Sequence, residues 1–536
     1  MRGTAVILGA VVMAGMAGAG GVTVRDGWDF SLPGSVKPAP YAGLLFMDNP
    51  AKSAAIIHEG YRITWAEMNP AQAKFDFSRV RSLLDRAQRR GRGVLLRLKC
   101  SETYGKAPWG EHPSYVPEWV VKKHSPAIAD MAAGEDDTYP GCVIKVAVPW
   151  DTGVHLEFLR FVKAFGESGL PRHPALFGLY IQGISTSLGE EFWFTRKAFD
   201  NLKAAGMTPG KLERAFADRI RAWAAAFGDE RRKLAWVGAG WIEAPDDEWE
   251  AYKALGDRLD ALALAQGLGW RGGGIETYNQ LSFPGSALDD GGYMVADEAH
   301  PLLAEPRFFG DENEVYDTRA QGATHAYRSS VLRALSAGMR FLWTSDEAVA
   351  LDPDVSRYFD LTAGKRGKES PDAWTWLREV KGRRSGKEYR YRNFEKHLFQ
   401  REAEGFRTRP ALFTARRREW TDAGEAGDWA ARSTDLDSGQ KAVGLRVDPL
   451  FRPGGKAWDA TIKVTFVDDG GEWKVAYATA TGPKESAVVR GKGKGAIRTA
   501  TLGLPGFLPG GRGPLGFDLA LTAVRGDLTA TFVRLM

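Results

Sequence analysis

Phe77-Ser78-Arg79-Val80-Arg81-Ser82-Leu83-Leu84-Asp85-Arg86-Ala87-Gln88-Arg89-Arg90-Gly91-Arg92-Gly93-Val94-Leu95-Leu96-Arg97-Leu98 decides the fold. Val80, Leu83, Leu84 and Ala87 fall at i, i+3, i+4 and i+7, the apolar stripe of an amphipathic helix. Gly91 ends the helix. Val94 to Leu98 is a short apolar run that suits a strand covered on both faces. Helix, glycine, apolar strand is the rhythm of a parallel sheet.

The rhythm extends in both directions. Leu44–Met47 and Tyr61–Trp65 precede the segment as strand candidates. Ala175–Ile181, Lys233–Val237, Gly274–Tyr278, Pro306–Phe309 and Met339–Trp343 follow it. Between them lie helical stripes, one carrying Leu156, Leu159, Phe161 and Val162. Another runs through Leu212, Phe216, Ile220, Trp223 and Phe227, behind Thr208 as N-cap and Pro209 at the first helical position. Seven or eight strands with intervening helices fit a (β/α)8 barrel over residues 40–375 better than an open doubly wound sheet. No G-x-G-x-x-G follows an early strand, which argues against a dinucleotide-binding fold. The character then changes. Residues 376–418 are basic and polar and read as a connector. Residues 419–536 alternate with period two between Gly, Pro and Asp turns, as in Thr461–Val467 and Leu528–Val533, and read as an antiparallel β-sandwich.

The chain has 536 residues with 44% hydrophobic and 26% charged side chains, the balance of a folded globular protein with more than one domain. Its net charge of +5 is spread along the chain, so no basic face marks a nucleic-acid binder. Arg2, the apolar run from Ala5 to about Val22 and the small residues Ala17-Gly18-Ala19 form the pattern of a signal peptide over residues 1–19. The mature protein is therefore expected to be secreted or periplasmic, with no membrane attachment once the signal is removed. Cys100 and Cys142 either pair or stay reduced, and two cysteines make no disulfide framework. There is no H-E-x-x-H and no C-x-x-C, so neither a metal nor a cofactor is expected. Gly183-Ile184-Ser185-Thr186-Ser187 lacks the last glycine of a nucleophile elbow.

In a barrel of this kind the reacting groups stand at the C-terminal ends of strands. Acids follow several of the expected strands: Glu190 and Glu191, Glu243, Glu276, Glu312 and Glu314, and Asp346. Cleavage of a glycosidic bond needs two carboxyl groups, a proton donor with a raised pKa and a nucleophile or base. Glu190 and Glu191 flank each other and precede Phe192-Trp193, aromatic surroundings that would supply an apolar wall. The chain's 18 tryptophans offer flat faces for sugar rings. Trp65, Trp193, Trp241, Tyr278 and Trp343 are the candidates for substrate binding.

Trp65-Ala66-Glu67-Met68-Asn69-Pro70-Ala71-Gln72-Ala73-Lys74-Phe75-Asp76-Phe77 resembles a signature of barrel glycoside hydrolases, with Ala73 where a glycine is usual. Pro117-Glu118-Trp119-Val120 and His173–Ile181 are similar to elements of the β-galactosidase- and agarase-like members of a retaining superfamily. The resemblance implies an acid/base after the fourth strand, usually in Asn-Glu. Here Gly189-Glu190-Glu191 stands in that place, which implies Glu190, with Glu191 as alternate. It also implies a nucleophile after the seventh strand, Glu312, with Glu314 as alternate. The activity implied is hydrolysis of a galactose-type polysaccharide or oligosaccharide. The departure from Asn-Glu leaves a second reading, a carbohydrate-binding barrel without chemistry.

Overall fold

Ser78–Arg89 is a helix that buries Val80, Leu83, Leu84 and Ala87, and the strand Gly93–Lys99 follows it. The computed structural model describes residues 21–46, 52–54, 56–99, 116–132, 143–181, 184–185, 192–238, 241–272, 275, 283–313, 315, 318–319, 322–384, 387–415, 427–452, 456–510 and 513–536. These residues divide into two units. One is Phe30–Lys365, and the other joins Arg366–Met536 to the described residues up to Asp29.

The first unit is a closed barrel of eight strands. In chain order they are β1 (Gly43–Phe46), β2 (His58–Thr64), β3 (Gly93–Lys99), β4 (Leu176–Tyr180), β5 (Leu234–Trp236), β6 (Gly269–Arg271), β7 (Phe309–Glu312) and β8 (Phe341–Thr344). Each pairs in parallel with its chain neighbours, and β8 closes on β1. The expected (β/α)8 architecture is present. The sixth barrel strand is Gly269–Arg271, upstream of the expected Gly274–Tyr278, which apart from Ile275 lies outside the described residues. The helix Pro209–Phe227 starts as expected, with the Thr208 hydroxyl accepting from Lys211 N at 3.3 Å.

The lumen is filled from the N-terminal ends of the strands upward. Leu45, Leu95, Phe177, Tyr180, Ala235, Phe308, Phe341 and Trp343 form one buried cluster. Phe308 packs on Phe341 at 4.0 Å between ring centroids and on Phe177 at 5.1 Å. Three strand glycines make room for these rings. A Cβ on Gly178 would fall 2.5 Å from the Phe308 ring, and Cβ atoms on Gly269 or Gly310 would strike the backbone carbonyls of Phe308 and Phe341. Strand glycines normally weaken a sheet; here they admit close approach.

The second unit holds two antiparallel sheets. The larger runs in the order Val22–Asp26, Ala496–Phe507, Trp458–Asp468, Thr529–Leu535, Ala373–Arg384, Gly427–Ser433 and Arg409–Ala415, with Lys387–Lys396 also on Ala373–Arg384. The smaller includes Leu398–Gln400, Ala442–Val447, Leu519–Arg525 and Glu472–Tyr477. Val464, Leu502 and Val533 of the first sheet share one core with Leu445, Val475 and Leu519 of the second. This is the expected sandwich, but it begins earlier than residue 419. The segment 376–418 is no connector. It carries Lys387–Lys396, Leu398–Gln400, Arg409–Ala415 and most of Ala373–Arg384. Several of its charges are paired inside the sheet. Glu379 is fully buried and meets Arg432 at 2.6 Å, Lys381 at 2.7 Å and Arg390 at 2.8 Å. Burial pushes its carboxyl up, but hydrogen bonds from Arg390 and Lys381 and the charge of Arg432 outweigh it and hold the group at about 2. Arg378 is buried against Asp428 at 2.8 Å. Val22–Asp26, which follows the expected signal peptide, is an edge strand of the same sheet.

Two substitutions of opposite sign test the backbone. Ala73 holds φ at +57°, the conformation that the usual glycine of that turn adopts freely. Ala73→Gly should stabilise the protein by about 0.5–1 kcal/mol, whereas Gly269→Ala should cost more than about 3 kcal/mol because backbone must move. Urea unfolding of both variants reads the two signs.

A buried carboxyl ties a helix to the barrel. Asp360, on the helix Pro353–Thr362, accepts from Leu44 N of β1 at 2.7 Å. Burial raises its carboxyl to about 7, against the opposing effects of that hydrogen bond and of Arg357. The folded state then holds a proton that the unfolded chain releases near pH 4. Stability should fall as pH rises from about 4 to about 7. Asp360→Asn keeps the acceptor oxygen and removes the titration. It should flatten that part of the pH–stability curve and be more stable than the parent at pH 8, by roughly 4 kcal/mol as a ceiling.

Candidate active site

Alternation along the strands sends every second side chain into the lumen. On β3 the core residue Leu95 is followed two positions later by Arg97, and on β7 Glu312 is the last residue. Glu312 stands level with Trp343 in the β7–β8 register. Asn313 N donates to Trp343 O at 2.8 Å, and Ile275 N donates to Glu312 O at 3.1 Å, so the strand end is held on both sides.

One polar layer results above the phenylalanines. The Glu312 carboxylate forms an ion pair with the Arg271 guanidinium, and both are buried. Arg271 lies 5.7 Å from the Tyr180 ring centroid and 5.8 Å from that of Trp343. Arg97 stacks on Trp343 at 4.2 Å, although β3 and β8 are separated by two strands, so it reaches across the lumen. The Trp343 indole N–H is buried and has no hydrogen-bond partner among the described residues. The layer thus offers an oriented carboxylate, cations, two aromatic rings and an unused donor. Among the described residues no cluster of His, Cys, Asp and Glu could hold a metal ion.

The sequence candidates fare differently. Glu312 closes the seventh barrel strand, where the resemblance placed it. Trp343 lies beside it in the lumen. Trp193 and Trp241 are brought into register on a small parallel sheet formed by Ile184–Ser185, Phe192–Phe194 and Trp241–Ile242. These strands follow β4 and β5 in the chain. Glu190, Glu191, Glu276, Tyr278 and Glu314 lie outside the described residues, as do residues 1–19, Cys100 and Cys142.

Trp65 is corrected. It does not end a strand but opens the helix Trp65–Met68, behind a Thr64–Glu67 capping box. Its indole is fully buried against Phe158 and Phe161 and donates to Asn69 Oδ1 at 3.2 Å, so it packs in the core and binds no substrate. Glu243 accepts from Arg196 N at 2.8 Å, at the start of the helix Arg196–Ala204. Asp346 accepts from the backbone of Lys52 and Ser53 at 2.9 and 2.7 Å. Both acids bind backbone and hold loops. The layer also contains residues that the sequence reading passed over: Arg97, Tyr180 and Arg271. Their signal was a cation or hydroxyl inside an apolar strand, near its C-terminal end.

No family model and no curated protein matches the chain. Among solved structures it is similar to the catalytic domain of a β-amylase from Paenibacillus polymyxa, with a TM-score of 0.37 and 12% identity over 60% of this chain and 95% of that one. It is also similar to the exo-β-1,4-mannosidase Op5Man5 from Opitutaceae bacterium strain TAV5, with a TM-score of 0.31 and 13% identity over 60% of this chain and 56% of that one. A third is the cold-adapted β-galactosidase from Rahnella sp. R3, with a TM-score of 0.27 and 13% identity over 56% of this chain and 44% of that one. All three are glycoside hydrolases.

The ion pair gives a stability test. Arg271→Met leaves a buried carboxylate without that cation and should cost about 3–5 kcal/mol. Adding Glu312→Gln should restore part of the loss, since a neutral amide is cheaper to bury. Denaturant unfolding of the single and double variants measures both.

Proposed function

We propose that this protein is a glycoside hydrolase acting on a polysaccharide or oligosaccharide, with Glu312 as the nucleophile of a retaining reaction. The observation that carries the reading is the buried Glu312 carboxylate at the end of β7, oriented by Arg271 beside Tyr180 and Trp343. The Trp65–Phe77 signature supports the same class, and the β-galactosidase-like elements Pro117–Val120 and His173–Ile181 support a galactose-type substrate. Glu190 is the proposed acid/base, with Glu191 as alternate. The protein is proposed to be exported through the signal at residues 1–19.

In this mechanism Glu190 protonates the leaving oxygen while a Glu312 oxygen bonds to the anomeric carbon and the glycosidic C–O bond breaks. Water then gives a proton back to Glu190 and attacks the same carbon, releasing the sugar and restoring both carboxyl groups. Arg271 fixes the orientation of the attacking oxygen before substrate arrives, and the Trp343 N–H beside it is a buried donor with no partner among the described residues.

Purified protein incubated with plant, marine and microbial polysaccharides should release reducing ends from at least one. Glu312→Gln keeps size and removes the anion, and should lower that release by about 10³-fold or more with the fold intact. Retention on an insoluble glycan without release by the parent protein would favour the carbohydrate-binding reading. Full activity in Glu312→Gln would remove Glu312 from the reaction.

A further inference from the structure

A groove lies on the outer face of the barrel, along the helix Asp246–Ala265. Trp249, Tyr252, Lys253, Gly256, Asp257 and Asp260 recur at helical spacing on one side of it, and with Ile242 they line a groove of about 180 Å³. A cavity of roughly 150 Å³ holds one six-membered carbon ring, so this groove has room for one pyranose.

The chemistry of the lining suits such a ring. Trp249 leaves 41% of its surface to solvent, an uncommon position for an indole on a monomer surface. Lys253 and Asp257 form an i,i+4 ion pair at 2.7 Å with both side chains more than half exposed. They present an ammonium and a carboxylate side by side, a donor and an acceptor for ring hydroxyls. Tyr252 packs its ring edge on Phe199 at 5.0 Å, and its buried hydroxyl has no partner among the described residues. Asp260 is engaged by Trp236 Nε1 at 2.6 Å and anchors the helix to β5. A protein partner would need an interface of about 1,000 Å² or more, which a groove of this size does not provide.

We propose that this groove binds one neutral pyranose residue of a glycan, its C–H face on Trp249 and its hydroxyls on Lys253 and Asp257. The site is distinct from the lumen and would hold a chain that the barrel cleaves. The proposal takes its ligand class from the glycosidase reading, and its test separates the two. Protein labelled with 5-fluorotryptophan gives a fluorine line for each indole, and Trp249→Phe identifies the line of Trp249. Glucose, galactose, mannose and xylose are each titrated, with sorbitol as an open-chain control. At least one sugar should move the Trp249 line saturably, with a Kd of about 1–100 mM, the range of a single ring held by one face and a few hydrogen bonds. Asp257→Ala should weaken that binding about fivefold or more, since a charge-assisted hydrogen bond is lost, and Glu312→Gln should leave it unchanged. If no sugar moves the line, or sorbitol moves it equally, or Asp257→Ala binds as the parent does, the site is refuted. A shift that survives in a protein releasing no reducing ends keeps the site and overturns the glycosidase reading. Release without any shift does the reverse.

Discussion

The fit of two phenylalanines against three glycines is the constraint on which the barrel depends. Phe308 and Phe341 hold their places in the lumen because Gly178, Gly269 and Gly310 carry no side chain that would meet their rings or backbone. A barrel interior is a packed core with finite room. Once its N-terminal half is filled by rings, the next inward positions form a layer closer to the strand ends. That layer holds Arg97, Tyr180, Arg271, Glu312 and Trp343. The apolar floor excludes water from beneath the carboxylate, and electrostatic interactions in such surroundings are stronger than in solvent.

Buried charge is handled in two ways in the two units. In the sandwich, Glu379 is met by Arg432, Arg390 and Lys381, and the cluster locks neighbouring strands together. Such a carboxylate is fully committed. In the lumen, Glu312 is oriented by Arg271 beside an indole N–H with no partner among the described residues. Orientation by one strong partner with a donor to spare is the arrangement expected where a ligand is to be met.

The alternation of strands and helices was legible because periods of 2 and 3.6 leave distinct marks on apolar residues. The position of Glu312 at a strand end was legible for a related reason, as an acid placed near where an apolar run stops. Trp65 was misread because an indole at the end of a strand and one at the start of a helix look alike. The distinguishing mark was local, Thr64 and Glu67 three positions apart. Residues 376–418 were misread because charge in a sequence suggests water, and the partners that bury it, Asp428 and Arg432, stand some way along the chain. Arg97 and Arg271 were overlooked on the same ground. Val22–Asp26 was given no element, because five residues beside an apolar leader are too short to stand out as a strand.

Val22–Asp26 also changes what the chain is topologically. The sandwich takes its first strand from before the barrel and the rest from after it. The barrel is therefore an insertion within the sandwich and not a domain placed ahead of it. Two covalent crossings join the units, near Asp29 and near Arg366. A single nick at either crossing leaves the other intact, and the strand Val22–Asp26 still hydrogen-bonds to Ala496–Phe507. During synthesis the sandwich's first strand must wait, unpaired, until the whole barrel and its own partner strand have been made. Its brevity and its Arg25 and Asp26 charges suit a strand that must avoid pairing with other chains during that interval.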